Sequence, residues 1–150
     1  MKRIVIYIAI LVALLLIPVK GMDVGKLQPV EVVFVYRSEG QIVIETDTGD
    51  MGMGTTGADA LKNLKDTTPG IIYLDTAEYL LLTEETQDVV EQLRPILKKG
   101  VQMCTAEPGI DLALVARFLP AHGKLPQLKH WQKGMDLPHL TEDEKRLKLS

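Results

Sequence analysis

Residues 29–48 read PVEVVFVYRSEGQIVIETDT, and the fold turns on how this stretch is parsed. Its first half is β-branched and aromatic, with Val30, Val32, Phe34 and Tyr36 on one face of an extended chain and Glu31, Val33, Val35 and Arg37 on the other. Alternation of this kind predicts a strand starting at Pro29. Ser38, Glu39 and Gly40 supply a short turn, QIVIETDT alternates again, and the two halves are expected to pair as an antiparallel hairpin.

Downstream, TDTGDMGMGTT at 46–56 leads into TTGADALKNLKDTTPG, where Thr55 or Thr56 offers an N-cap, Ala58, Leu61 and Leu64 recur at helical spacing, and Pro69-Gly70 stops the helix. IIYL at 71–74 reads as a short apolar strand. AEYLLLTEE after it continues either as strand or as the approach to a second helix. Thr83 is an N-cap for that helix, Glu84 and Glu85 suit its positive end, and Val89, Val90, Leu93, Ile96 and Leu97 form its inner stripe. Pro95 should bend it or end it early, before Lys98, Lys99 and Gly100. VQMCTA predicts another strand, and DLALVARFLPA a third helix between Pro108-Gly109 and Pro120. Past Gly123 the periodicity fades, residues 136–150 read as a charged C-terminal tail, and TEDEKRLKLS at 141–150 is expected to fray. The order predicts a mixed α/β (α+β) fold, in which an N-terminal antiparallel hairpin opens a sheet packed by about three helices, with parallel crossovers after it.

The chain opens with MKRIVIYIAILVALLLIPVKG, in which Lys2 and Arg3 precede an uncharged run broken by Pro18. An apolar run of about 14 residues is shorter than the roughly 20 needed to span a bilayer, and matches the h-region of a secretory signal. Val19 and Gly21 would stand at −3 and −1 of a cleavage site, with Lys20 between them. Residues 1–21 are therefore expected to be either a signal peptide or an uncleaved membrane anchor, with the rest of the chain outside the cytoplasmic membrane in both cases. The competing assignment, a buried core helix, fits poorly with a terminal, basic-led segment that is apolar all round.

Residues 22–135 then make one mixed α/β domain, long enough to bury a core. Without Lys2, Arg3 and Lys20, the 17 basic and 20 acidic residues become 14 and 20, a formal charge of −6. That balance argues against nucleic acid or an anionic lipid surface as the main partner. Cys104 is the sole cysteine, so no intramolecular disulfide forms.

The glycine stretch is the first place to look for chemistry. It has no lysine and so is no P-loop, and G-x-G at 52–54 lacks the third glycine of a dinucleotide fingerprint. Glu45, Asp47 and Asp50 offer oxygens to a cation without the ligand order of an EF-hand. The simpler reading is that Gly52 and Gly54 permit a tight strand-to-helix passage capped by a threonine. His122, His130 and His139 lack the spacing of a helical metal site, and no G-x-S-x-G elbow exists. Cys104, in mid-strand, is expected to be a buried, inert thiol. Asp75 with Glu78, or Glu84 with Glu85, suits acid-base work only if folded into a cleft. Trp131 either packs the C-terminal segment on the body or marks a contact surface.

Taken as one pattern, GMGTTGADALKNLKDTTPGIIYLDTAEYLLLTEETQDVVEQLRPILKKGVQMCTAEPGIDLAL resembles the N-terminal domain of the spore-germination receptor C subunits, the Ger(x)C family. The resemblance covers roughly residues 22–128 and rests on the glycine loop, the Ala60-Leu61 step, the strand ending at Asp75 and the LLLTEE helix start. Gly21-Met22 stands where family members carry a lipidated Gly-Cys step, and the family's further C-terminal domains have no counterpart here. The resemblance implies a non-catalytic accessory protein outside a membrane, working with integral-membrane partners. Separately from it, a second copy of the chain is the other partner expected, and no cofactor or metal is expected. A contact surface is expected around Asp50, Gly52, Gly54, Asp75 and Trp131. The alternatives are a secreted metal-dependent hydrolase using Asp47, Asp50 and a C-terminal histidine, or a structural protein that self-associates through a sheet edge.

Overall fold

The computed structural model describes residues 4–8, 10, 12, 27–122 and 124–150. The expected leader features at Lys2, Arg3 and 18–22 lie outside these residues. Residues 4–8 are helical, and the side chains described at 4–8, 10 and 12 are 47–73% exposed, so they do not enter the core.

β2 (Val32–Ser38) and β3 (Gln41–Thr46) form the expected antiparallel hairpin, with Ser38 opposite Gln41 and Glu39 and Gly40 at φ 50° and 78° in the turn. β2 begins later than Pro29. Leu27–Pro29 is a separate strand, β1, paired in parallel with β5 (Ile71–Tyr73) in a small two-stranded sheet of its own. The chain changes sheets at Val30, which Thr76 holds: its hydroxyl accepts from Val30 N at 3.0 Å and donates to Val30 O at 2.9 Å. IIYL therefore does not join the main sheet, and Ile71 and Tyr73 remain 44% and 41% exposed.

The main sheet also contains β4 (Met51–Gly54), β6 (Tyr79–Leu82), β7 (Gln102–Ala106), β8 (His139–Asp143) and β9 (Arg146–Leu149), in the order β4-β3-β2-β6-β7-β8-β9. β2, β6, β7 and β8 run parallel, and antiparallel hairpins flank them on both sides. The chain is thus a mixed α+β fold with a seven-stranded sheet. YLLL is strand, which resolves the open boundary before Thr83. The expectation that the C-terminal residues fray is overturned: 139–149 close the sheet as β8 and β9, joined by Glu144 and Lys145 at φ 46° and 63°.

Both faces of the sheet are covered. On one, α1 (Gly57–Thr67) and α2 (Val90–Leu93) pack Ala60, Leu64, Val90 and Leu93 against Val33, Val35, Ile44, Leu80, Leu82 and Met103. On the other, α3 (Leu112–Phe118) packs Leu112 and Val115 against Val32, Phe34, Leu81, Cys104 and Leu140. α1 is capped by Thr56, whose side chain accepts from Asp59 N. Asp111 caps α3 in the same way. Before α2 the chain forms a 3-10 segment, Glu84–Val89, started by a reciprocal Thr83–Thr86 capping box in which Thr86 Oγ1 also donates to Val35 O at 3.0 Å. The α-helix ends at Leu93, two residues before Pro95, which could not supply the next backbone donor.

The glycine stretch is a strand rather than only a passage. Gly52 and Gly54 lie in β4, and α1 rests directly on them: a Cβ on Gly52 would sit 2.3 Å from Ala60 O and 2.4 Å from Leu64 N, and one on Gly54 2.4 Å from Ala60 N. Their role is close approach, not left-handed dihedrals. Gly52→Ala must push helix backbone away and is expected to cost about 1–3 kcal/mol. Gly100→Ala, where a Cβ meets nothing within 4 Å, should be neutral or stabilising by up to about 1 kcal/mol. Urea denaturation midpoints of the two variants check this ordering.

Candidate functional site

The acidic residues of the 46–50 turn are engaged in holding that turn together. Asp47 Oδ1 accepts from Glu31 N at 3.0 Å and Val32 N at 3.1 Å, supplying the acceptor that β2 needs where the chain leaves β1. Thr48 Oγ1 donates to Asp50 Oδ2 at 2.7 Å, Thr46 N donates to Asp50 O at 3.0 Å, and Gly49 takes φ 87°. Glu45 reaches across to Tyr36, 3.4 Å from its hydroxyl. Burial first, and the nearby Glu45 carboxylate second, raise the Tyr36 hydroxyl above its ordinary pKa.

The histidines are spread over separate elements. His122 stacks on Phe118 with ring centroids 3.7 Å apart, His130 lies exposed in the Leu128–His130 turn, and His139 Nδ1 is 3.0 Å from Thr105 Oγ1 between β8 and β7. Among the described residues no group of three or more His, Cys, Asp or Glu side chains is placed to hold a metal ion. Cys104 is fully buried in β7, and burial pushes its thiol up to about 12. Glu78 is ion-paired with Lys98, and Glu84 and Glu85 open the 3-10 segment.

Of the five residues expected at a contact surface, Gly52 and Trp131 are buried and Gly54 is half-buried. Gly52 and Gly54 are covered by α1, and Trp131 is 4% exposed in the α1/α2 core beside Leu128. Asp75 is exposed in the turn after β5, and Asp50 is half-buried in the turn before β4. Trp131 packs, as the first of its two readings has it. The Arg94 guanidinium lies 5.8 Å from its ring centroid and donates to Leu128 O at 3.1 Å and Trp131 O at 3.4 Å.

What the fold brings together is charge. The parallel strands end in Glu84 and Glu85 after β6, Glu107 after β7 and Glu144 after β8. Open crevices lie among these carboxyl ends, one of about 370 Å³ between residues 107–110 and the β8–β9 hairpin, another of about 300 Å³ lined by Arg37, Glu84, Glu85 and Glu107. Arg37 is ion-paired with Asp88 at 2.8 Å. The carboxyl ends of parallel strands are where open α/β sheets usually bind ligands, but here that end is acidic.

At the opposite end, where the parallel strands begin, a cleft of about 310 Å³ is lined by Arg94, Lys99, Leu128 and Lys129. Two backbone bonds join its walls, Lys129 N to Lys99 O at 3.0 Å and Leu128 N to Val101 O at 2.7 Å. Lys99 and Lys129 are exposed and have no carboxylate partner among the described residues. None of these lining residues stood out in the sequence as part of a site. A signal was present: from Arg94 to Lys133 the chain carries seven basic residues against Glu107 and Asp111. No family model, curated protein or solved structure matches the chain.

Asp47→Ala leaves two backbone donors at the start of β2 without their acceptor and is expected to lower stability by about 1–3 kcal/mol, whereas Asp47→Asn, which keeps an oxygen, should cost less. Chemical denaturation ranks the pair. Cys104 should resist a disulfide reagent in the native protein and react once urea unfolds it. Its folded pKa of about 12 stands above the ordinary 9.0, so its contribution to stability is complete below pH 9 and is lost as pH rises toward 12. Comparing the alkaline stability of Cys104→Ala with that of the native chain reads this contribution directly.

Proposed function

We propose that the protein is a non-catalytic extracytoplasmic binding or assembly domain, carried across a membrane by its N-terminal segment and acting with membrane-protein partners, in the manner of the N-terminal domain of a spore-germination receptor C subunit. The observation that carries this reading is the exposure of Ile4, Val5, Ile6, Tyr7, Ile8, Ile10 and Val12. Seven large apolar side chains in water would be costly, while the two cores from Val30 onward contain none of them. A segment of that kind suits an apolar environment outside its own domain. Of the side chains weighed for metal-dependent hydrolysis, Asp47 serves β2 and the histidines sit on separate elements, which favours this reading over that one.

Self-association by strand addition finds less support at the sheet edges. On β4, Asn63 Oδ1 takes Met53 N at 2.9 Å and Thr67 Oγ1 approaches Met51 O at 3.4 Å, so α1 occupies polar groups of that strand's backbone. On β9, Arg146 and Lys148 discourage a second strand by charge.

N-terminal sequencing combined with membrane fractionation tests the proposal in cells that make the protein. The expected result is a body outside the cytoplasmic membrane, cleaved by protease added to intact spheroplasts, with either the original N-terminus in the membrane fraction or a start at Met22. Recovery of the intact chain from the cytosol, protected from that protease, would overturn it.

A further inference from the structure

Three features meet at the end of the sheet where the parallel strands begin. The first is where the chain comes in: β1 starts at Leu27 and leads straight to the amino end of β2. The second is the exposed pair Ile71 and Tyr73 on β5, the strand paired with β1. The third is the basic cleft of Arg94, Lys99, Leu128 and Lys129 before β7. Backbone bonds tie the strand starts together, with Glu78 N and Tyr79 N donating to Glu31 O and Gln102 N donating to Glu78 O. β6 alone separates β2 from β7, so the amino ends of those two strands are offset across the sheet by roughly 10 Å.

We infer that this end of the domain docks on the bilayer that receives the N-terminal segment, with the cleft taking the phosphate of an anionic lipid headgroup and Tyr73 and Ile71 lying at the interface. The inference rests on the anchored form of the proposed function. Charge complementarity selects the occupant: Lys99 and Lys129 are unpaired by carboxylates among the described residues, and Arg94 adds a third cation partly engaged by Glu91. Other acids at this end are already bound within the domain, Glu78 by Lys98 and Asp47 by the β2 backbone, while Glu31 and Asp75 remain exposed on the β1 side. At the far end Glu84, Glu85, Glu107, Glu142 and Glu144 outnumber Lys145 and Arg37, the latter paired with Asp88, so an anionic surface is repelled there and a single orientation is favoured. An exposed tyrosine at the same end of the domain as a basic cluster is the composition of a membrane interface. The formal charge of −6 on the body beyond the leader does not oppose this, because screening confines each surface charge to its own neighbourhood.

The test reconstitutes the full chain into vesicles of phosphatidylcholine alone, or mixed with phosphatidylglycerol, each containing a dansyl-labelled headgroup lipid as acceptor. Trp131, the only tryptophan, lies next to the cleft and serves as donor. Energy transfer should rise when phosphatidylglycerol is present, fall back in high salt, and fall back in Lys99→Glu/Lys129→Glu with circular dichroism unchanged. Arg146→Glu, in β9 at the far edge of the sheet, alters net charge and should leave the rise intact. Flotation with both kinds of vesicle but equal transfer in each would overturn the docking and leave anchoring in place. An equal loss of transfer in Arg146→Glu would also overturn it, by assigning the effect to net charge. Failure to float with either vesicle would remove the anchored reading and the docking together.

Discussion

The architecture depends on burying β2 on both faces. Val32, Val33, Phe34 and Val35 are four consecutive residues with almost no exposed surface, and alternate side chains of a strand point in opposite directions. One helical layer could shield only two of them. Main-chain donors and acceptors so deeply buried must also be paired on each side, which places β2 between β3 and β6. Three layers with β2 inside the sheet follow from those four residues. The two hydrophobic clusters, Val33 and Val35 with α1 and α2, Val32 and Phe34 with α3, are the two halves of that requirement.

The rest of the chain solves the problem of bringing helices close enough. α1 approaches β4 at backbone distance because Gly52 and Gly54 have no side chain, and Thr56 directs the first helical turn onto them. On the far side of the same layer, the 3-10 segment before α2 is pinned by Thr86, whose hydroxyl reaches the backbone of β2 at Val35. These are polar fixings of an apolar interface. They set the helix positions, while burial of Leu64, Val90 and Leu93 supplies the larger share of the driving force.

The hairpin, the threonine caps at Thr56 and Thr83 and the parallel crossovers were legible in the sequence because each has a local cause: alternation, a threonine followed by helical spacing, a short apolar run. The C-terminal strands were not, for an equally physical reason. HLTEDEKRLKLS holds few apolar residues, its turn uses Glu144 and Lys145 at positive φ where Asn-Gly would have signalled a hairpin, and an edge strand tolerates charge that an inner one would not. β1 escaped notice because Pro29 and Val30 continue the apolar alternation of β2, and the break between them is made by Thr76 and Asp47, distant in sequence. Of the expected contact residues, Gly52, Gly54 and Trp131 were singled out for chemical distinctiveness, and in each case packing explains it.

Charge shows most clearly why composition undershoots geometry. The −6 of the body beyond the leader is a scalar, whereas an interface meets only what faces it. Residues 94–133 concentrate positive charge, and topology returns two parts of that segment to the same place: the loop before β7, and the stretch 124–131 that runs back beside it through the Gln102–Gln127 bridge. Lys99 and Lys129 become neighbours thirty positions apart because β7 needs a partner at its amino end and β8 reaches only Thr105 and Ala106. The basic cleft is thus a by-product of satisfying a strand's hydrogen bonds. That origin explains why no compact motif announces it, while Glu84, Glu85, Glu107 and Glu144, which follow the parallel strands, collect at the other end.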